Sequence, residues 1–173
     1  MVQLDRKVAN LKLELWDATH PRWPELMKVI DEEGQTTYIT FEAEFHEKSY
    51  LLVALQGEAI AGFLRAVVQA IGPDMDCPPM TFRGKILTET KILAFAVRTP
   101  FQNQGVGKAL QHELIRLAKT WQCYQVRSHS DGYRKANHHL KVSLGFAIHP
   151  IVRGNDTEGA YFIMPLIEES QHS

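Results

Sequence analysis

The feature that most constrains this chain is a strand that runs through a glycine-rich turn into an amphipathic helix. The strand covers Lys85 to Pro100, where alternating residues give way to a continuous apolar run. That run predicts a central strand that is buried on both faces at its far end. The turn is QNQGVGKAL, from Gln102 to Leu110, and a helix is predicted from Lys108 to Trp121 because apolar residues recur there at three- and four-residue steps. A strand–loop–helix unit therefore lies at the centre of the chain.

The other segments predict an α/β chain with a mixed sheet, because strand and helix patterns alternate along it. A length of 173 residues suits one compact domain over residues 1–173. The predicted order is β-α-α-β-β-β-α-β-α-β-β. Around the central unit, the predicted elements are a strand over Leu11–Trp16, helices over Pro21–Glu33 and Phe41–Lys48, a hairpin of Tyr50–Leu55 with Ala59–Ala70, a loop over Gly72–Gly84, a strand over Cys123–Ser128, a helix over Gly132–Leu144 and a closing hairpin around RGNDTEG.

Composition excludes several classes of protein. Apolar residues make up 45% and charged residues 23%, with a net charge of -1, so nothing indicates a nucleic-acid partner. The two cysteines, Cys77 and Cys123, are far apart, which predicts neither a disulfide scaffold nor a zinc site and favours a reducing, cytoplasmic setting. Adjacent His138 and His139 point about 100° apart on a helix, so no metal site is expected. No signal peptide or membrane span is predicted.

The glycine-rich turn has the character of a phosphate-binding loop, and several kinds of loop compete for it. An ATP-type loop needs Gly at position 102 and Ser or Thr at position 109, where the chain has Gln102 and Ala109. A dinucleotide fingerprint matches Gly105 and Gly107 but requires a third Gly where Leu110 stands. A connection that binds no ligand remains a further alternative.

The turn resembles the loop of the GNAT superfamily of acyl-CoA N-acyltransferases, in which Arg or Gln, two residues, Gly, one residue, and Gly or Ala follow a strand ending in Val-x-x-Pro. Here Val97 and Pro100 end the strand, and Gln102, Gly105 and Gly107 form the loop pattern. A weaker echo is the Leu-Gly-Phe sequence that begins at Leu144. The resemblance implies a GNAT-like α/β fold, with a central mixed sheet of six to seven strands and helices on both faces. It also implies acetyl-CoA as the acyl donor.

Physical chemistry supports a pyrophosphate at this loop. Amides at a helix N-terminus lack intrahelical partners and lie at the positive end of the helix dipole, and glycines let a ligand approach the backbone closely. Gln102 is expected to brace the loop, and Lys108 adds a positive charge. The resemblance also assigns backbone groups of the preceding strand to the pantetheine arm and thioester. The predicted cofactor-binding residues are Phe95, Ala96, Val97, Gln102, Asn103, Gln104, Gly105, Val106, Gly107, Lys108 and Asn137.

The resemblance identifies the catalytic acid and base less clearly. Family members often place an acidic base where this chain has Leu93 and Ala94, so the nearest acidic residue is Glu89, which is either a base acting through water or a solvent-facing strand residue. The family's Tyr acid falls on Lys141, with Tyr133 as a substitute. His129 lies at the end of the strand predicted after the main helix. It is a further candidate base, because an unperturbed histidine has a pKa of about 6.5.

These features together predict an N-acetyltransferase that moves an acetyl group from acetyl-CoA to a primary amine by direct attack in a ternary complex. The acceptor is expected to be a small-molecule or peptide amine. A homodimer is compatible with the fold, and no nucleic-acid or membrane partner is expected. The alternative is a catalytically silent module of the same fold that binds or senses acyl-CoA.

Overall fold

The computed structural model describes residues 8–166, and it confirms the predicted order of elements with one added ribbon, β4–β5. The predicted first strand has the observed bounds, and most other predicted elements lie within a few residues of the observed ones. The elements are β1 (Leu11–Trp16), α1 (Trp23–Glu32), α2 (Thr36–Thr40), β2 (His46–Gln56), β3 (Ala59–Ala70), β4 (Thr81–Phe82), β5 (Lys85–Ile86), β6 (Thr88–Val97), α3 (Val106–Thr120), β7 (Gln125–Ser130), α4 (Lys135–Ser143), β8 (Ala147–Pro150) and β9 (Ala160–Pro165).

Seven strands form a mixed sheet in the order β1-β2-β3-β6-β7-β9-β8, which confirms the predicted α/β class and strand number. β1 pairs with β2 in antiparallel register, while β6 and β7 are parallel. β9 pairs in antiparallel register with both β7 and β8, so the predicted closing hairpin is present. Within residues 8–166, no helix is both long and apolar enough to cross a lipid bilayer.

The chain forms two compact units, of which the first holds the glycine-rich loop. Among the described residues it comprises 8–41 together with Tyr50–Arg65 and Ala94–Leu114. Its core forms because the apolar stripe of α1 packs against apolar residues of the strands, which removes large side chains from water. The buried members of this core are Trp16, Leu26, Val29, Ile30, Leu51, Val53, Leu55, Ile60, Phe63 and Ala94.

Within residues 8–166, the second unit comprises Glu42–Ser49, Ala66–Leu93 and 115–166. In this unit the first half of β6 pairs in parallel with β7, and β9 pairs in antiparallel register with β7 on one side and β8 on the other. Over the part of the chain that the structure describes, the second unit buries more charged side chains than the first, including Glu89, Arg127 and Lys141. Buried charges need partners or shifted pKa values, so this unit contains the groups whose electrostatics are most perturbed.

The predicted helix over Phe41–Lys48 is wrong. The second helix is the five-residue α2, Thr36–Thr40, and β2 already begins at His46. Phe41 has an extended backbone with ψ of 125°. The guanidinium of buried Arg65 donates from Nη1 to the carbonyl oxygens of Tyr38 and Phe41, both at 2.7 Å. These carbonyls are therefore bound by a side chain from β3, which ends the helix.

The predicted loop over Gly72–Gly84 contains more structure than the sequence indicates. A 3-10 turn covers Pro73–Met75, and β4 pairs with β5 as a short antiparallel ribbon. Arg83 and Gly84, the two residues between these strands, have φ values of 50° and 77°. Two positive φ values in a two-residue connection are typical of the tightest hairpin turns. The central strand consequently begins at Thr88 rather than at Lys85.

Candidate functional site

The strand–loop–helix unit has the predicted arrangement. β6 ends at Val97, a 3-10 turn covers Thr99–Phe101, and α3 begins at Val106. The four residues from Gln102 to Gly105 are exposed, whereas Val106 is buried and anchors the first turn of the helix. The exposed loop thus offers its backbone to solvent at the positive end of a 15-residue helix.

Side-chain amides hold this loop in shape. Gln102 donates from Nε2 to the carbonyl oxygen of Val97 at 2.9 Å, and Gln104 donates from Nε2 to the carbonyl oxygen of Pro100 at 3.1 Å. The brace expected of Gln102 is therefore present. These two bonds tie the loop to the end of β6 and to the 3-10 turn that follows it.

The loop backbone has a conformation that favours glycine. Gly105 has φ of +88° and Asn103 has φ of 60°. A Cβ at Gly105 would lie 3.3 Å from Cγ2 of Val8. The first α-helical bond runs from the amide of Ala109 to the carbonyl of Gly105, at 3.0 Å. That bond lies in the first turn of α3, and helix N-termini are places where backbone amides bind anions.

The strand before the loop differs from the prediction at its far end. Phe95, Ala96 and Val97 are half-buried rather than fully buried, whereas Glu89 and Thr90 at the start are fully buried. The parallel pairing of β6 with β7 runs from Glu89–Gln125 to Ile92–Ser128, and β6 continues for five residues beyond it. The expectation of burial on both faces at this end was therefore wrong, because the pairing ends before the apolar run does.

A close backbone approach fixes the other side of this strand end. A Cβ at Gly62 in β3 would lie 2.6 Å from the carbonyl oxygen of Ala96 and 3.3 Å from Cα of Val97. The amide of Arg98 donates to the carbonyl of Ala61 at 2.9 Å. Only a residue without a side chain fits at position 62, so β3 holds the end of β6 at the distance that this glycine sets.

Glu89 is buried, which excludes the alternative of a solvent-facing strand residue. Arg127 donates to it from Nη2 at 2.6 Å and from Nε at 3.0 Å. Gln69 and Gln125 donate from their side-chain amides at 3.1 Å and 2.8 Å. Both carboxylate oxygens therefore have structural partners, and a role for Glu89 as a base stays a prediction.

Arg127 connects Glu89 to the segment that follows β3. Its Nη2 lies 2.5 Å from Oδ2 of Asp74, and Nζ of Lys91 lies 2.7 Å from the same oxygen. Burial opposes ionisation of Asp74, but the hydrogen bonds from Lys91 and Arg127 outweigh it and lower its pKa. Burial likewise opposes the charge of Arg127, and Glu89 and Asp74 together raise its pKa. Two carboxylates and two cations thus balance one another in a buried network.

Sequence reasoning did not identify Arg127 and Asp74 as site residues. The available signal was a charged residue between Val126 and Ser128 in a strand that is otherwise typical of a buried element. Buried cations need carboxylate partners, so Arg127 could be expected to form an ion pair, but the sequence does not say which carboxylate is its partner.

His129 lies at the end of β7 with its side chain 14% exposed. Burial, and then the positive charge of Arg153, lower its pKa below the ordinary value, which favours neutral imidazole. Nδ1 is 3.9 Å from Oδ1 of Asp131, and the ring stands edge-on to Tyr161 with centroids 5.4 Å apart. Nε2 is buried and has no hydrogen-bond partner among residues 8–166. A neutral imidazole with a free ring nitrogen has the chemistry of a proton acceptor.

The three predicted residues near α4 have different environments. Tyr133 is 75% exposed and receives a hydrogen bond from Arg134 at 3.3 Å. Asn137 donates to Oγ of Ser130 at 3.0 Å. Lys141 is fully buried, with Nζ 4.7 Å from the ring centroid of Phe146. Burial lowers the pKa of Lys141 to about 7, so this ammonium exchanges its proton near neutral pH.

A cavity of about 970 Å³ lies in the second unit. Phe82, Ile86, Trp121 and Tyr124 contribute to its apolar wall, and Lys85 and Lys119 add positive charge. None of the predicted catalytic or cofactor-binding residues lines it. Volume by itself therefore does not locate the site that the motif predicts.

Comparison with known proteins gives a consistent result at the level of family and fold. The family model described as "Acetyltransferase (GNAT) family" matches residues 11–146. None of the curated proteins matches the chain.

Similar solved structures are acetyltransferases at low sequence identity. Arabidopsis thaliana NAA60 in complex with acetyl-CoA is 13% identical with a TM-score of 0.68, over 90% of this chain and 98% of that one. The ribosomal-protein-S18-alanine N-acetyltransferase from Escherichia coli is 18% identical with a TM-score of 0.63, over 94% and 98%. A GNAT family acetyltransferase from Elizabethkingia anophelis with acetyl-CoA bound is 21% identical with a TM-score of 0.59, over 91% and 99%. At these identities the likeness shows the fold.

Proposed function

The chain belongs to the GNAT acetyltransferase family, and from that premise we propose that it transfers an acetyl group from acetyl-CoA to a primary amine. The observation that carries the proposal is the exposed loop between β6 and α3, with Gln102 bound to Val97 and Gly105 at φ of +88°. The loop suits a pyrophosphate, because its backbone amides are hydrogen-bond donors that lie at the positive end of the α3 dipole. Acetyl-CoA is the donor that fits both this loop and the family.

The residues proposed to hold acetyl-CoA are two backbone segments and one side chain. Gln102 to Lys108 would hold the pyrophosphate through backbone amides, with Lys108 adding charge. Phe95, Ala96 and Val97 would offer backbone groups to the pantetheine arm and thioester, since β6 continues beyond its pairing with β7. Asn137 is proposed as a further contact on α4. When bound, acetyl-CoA supplies an activated acyl carbon, and a strand N–H that donates to its carbonyl stabilises the developing negative charge.

Direct transfer forms a C–N bond to the amine and breaks the C–S bond of the thioester, without a covalent enzyme intermediate. An ammonium acceptor must lose a proton before it attacks, and the neutral imidazole of His129 is the proposed base. The thiolate that leaves must gain a proton. Lys141 is the proposed donor, because its pKa of about 7 lets it release a proton at neutral pH. Glu89 and Tyr133 remain weaker candidates, because the first is bound by Arg127 and the second is largely exposed.

The acceptor is proposed to be a small-molecule or peptide amine, and placing it beside the thioester would supply much of the rate. The test is titration calorimetry with acetyl-CoA, with ATP–magnesium and NAD as controls, followed by thiol release with a panel of amines. Saturable binding of acetyl-CoA alone, with thiol release for at least one amine, supports the transferase. Tight binding without thiol release for any amine supports instead the silent acyl-CoA-binding module. Absence of acetyl-CoA binding contradicts both.

A further inference from the structure

The carboxylate of Asp156 joins two loops of the second unit. Oδ2 accepts a hydrogen bond from the amide of Gly132 at 3.0 Å, and Oδ1 accepts one from the amide of Glu158 at 3.1 Å. The amide of Gly159 is a third donor to the same carboxylate. Gly132 belongs to the turn between β7 and α4, whereas the other two belong to the β8–β9 loop. One side chain therefore satisfies backbone amides from both loops.

Two glycines allow these loops to come this close. A Cβ at Gly132 would lie 2.5 Å from Cβ of Glu158, a distance that real Cβ atoms do not adopt. A Cβ at Gly159 would lie 2.9 Å from Oδ2 of Asp156 and 3.4 Å from Nε2 of His129. The backbone at Gly159 therefore packs against the imidazole, on the side of its partnerless nitrogen.

We propose that Asp156 is a positioning residue, which fastens the β8–β9 loop over His129 and keeps the imidazole out of water. The proposal rests on the proposed role of His129 as base and assigns a role to a residue that neither the motif nor the family pattern identified. Three charge-assisted bonds to one carboxylate give the loop a fixed position, since each is stronger than a neutral hydrogen bond. The bond from Gly132 links the β8–β9 loop to the turn before α4, and the ion pair of Lys135 with Glu158, at 2.9 Å, adds a second link from the same loop to the first residue of α4.

The charges around His129 come from several elements. Asp131 in the turn and Asp156 in the loop favour the imidazolium, whereas Arg153 in the loop and Lys91 on β6 oppose it. Tyr161 on β9 also faces the ring, and its hydroxyl is 2.5 Å from Nη2 of Arg153. Burial has the largest effect on the pKa of His129 and lowers it. A cover that excludes water is therefore what keeps the ring neutral, and loosening that cover should have more effect than any one charge.

The test is an NMR pH titration of His129 in the full chain without acetyl-CoA. Two variants loosen the cover without changing charge. Gly159→Ala places a methyl group between Asp156 and His129, and Asp156→Glu keeps the carboxylate but displaces it. In both, the pKa of His129 should rise toward its ordinary value of about 6.5. Amide exchange at Gly132 should accelerate by about tenfold or more as the loop opens locally.

The matched control is Gly154→Asn in the same loop. Gly154 has φ of +57°, which Asn tolerates, and a Cβ there meets nothing within 4 Å. This variant should leave the pKa of His129 and the exchange rate of the Gly132 amide unchanged. An unchanged pKa of His129 in folded Gly159→Ala and Asp156→Glu would overturn the proposal.

The titration needs neither cofactor nor activity, so its outcome is separate from that of the proposed function. If the chain transfers acetyl groups, the acid limb of kcat/KM against pH should move in the same direction as the pKa of His129. A pKa that rises without a matching shift in that limb would show that His129 is covered by the loop but is not the base, which would overturn the positioning role.

Discussion

The side-chain amide of Gln102 donates to the carbonyl oxygen of Val97 at 2.9 Å, so the first residue of the loop is tied to the last residue of β6. Replacing Gln102 by Leu should weaken acetyl-CoA binding about five- to tenfold, because one net hydrogen bond of about 1 kcal/mol is lost. Titration calorimetry of the purified variant measures the change. Gln102→Arg is the matched control, since the family pattern accepts Arg at this position, and it should bind nearly as well. Equal affinity of Gln102→Leu and the parent would contradict a role for the brace.

Gly105 has φ of +88°, and a Cβ added there would lie 3.3 Å from Cγ2 of Val8. Gly105→Ala should reduce acetyl-CoA affinity by at least about tenfold, because the methyl group both strains the turn and stands on the backbone that faces the ligand. Gly34→Ala is the matched control. It has φ of +67° and open space around it, so it carries similar strain without touching the loop. If both variants lose stability equally and neither loses affinity, the loop is not the acetyl-CoA site.

The network of Glu89, Arg127 and Asp74 should be essential for stability. Glu89→Gln leaves Arg127 buried with only part of its compensating charge, so we expect a loss of about 3 kcal/mol in the free energy of unfolding. Denaturant titration monitored by circular dichroism measures this loss. Lys28→Ala removes an exposed ion pair at 4.0 Å and should change stability by less than about 0.5 kcal/mol. A similar small effect in Glu89→Gln would mean that the buried pair contributes little.

The same network makes stability depend on acid pH. The pKa of Asp74 is lowered in the folded state, so its contribution is present above the unfolded pKa and is lost as pH falls through the folded value. Asp74→Asn should therefore flatten the decline in unfolding free energy at acid pH. Unfolding curves at a series of pH values below about 4 measure this difference. Parallel curves for parent and variant would show that Asp74 ionises normally.

Lys141 should add a pH dependence of the same sign at alkaline pH, because its pKa is likewise lower in the folded state than in the unfolded chain. Its folded pKa is about 7, whereas an unfolded lysine has a pKa of about 10.4, so the unfolded chain binds the extra proton between these values. Burial of the ammonium therefore costs stability below pH 7, and stability rises as pH increases through this window. Lys141→Met should have a higher free energy of unfolding than the parent at pH 6, and its free energy of unfolding should no longer rise as pH increases above 7. Lys119→Met, an exposed control, should leave the pH profile as in the parent.

Local sequence patterns predicted the elements that local forces determine. The alternation in Leu11–Trp16 predicted β1 to the residue, and the stripe after Gly105 predicted α3, because each pattern reflects one face packed on a core. The brace by Gln102 was also predictable, since donor and acceptor are five residues apart. These features need no knowledge of distant parts of the chain.

The features that sequence reasoning missed depend on distant residues. The helix predicted over Phe41–Lys48 fails because Arg65, 24 residues after Phe41, binds the carbonyl of Phe41. Glu89 looked like a solvent-facing residue because its partner Arg127 lies 38 residues away. Neither contact has a local signature. The same holds for Asp156, whose carboxylate meets Gly132 only after the chain has passed through α4 and β8.

Position 62 limits how this protein tolerates change. Its glycine carries no chemistry and stands far in sequence from the loop, yet a Cβ there would lie only 2.6 Å from the carbonyl oxygen of Ala96, so any side chain would force that backbone to move. A saturation library scored for acetyl-CoA binding should therefore show position 62 to be as intolerant as the loop glycines. Selection on the donor site thus extends to a neighbouring strand, and engineering of a wider acyl pocket would have to start from the spacing that Gly62 sets.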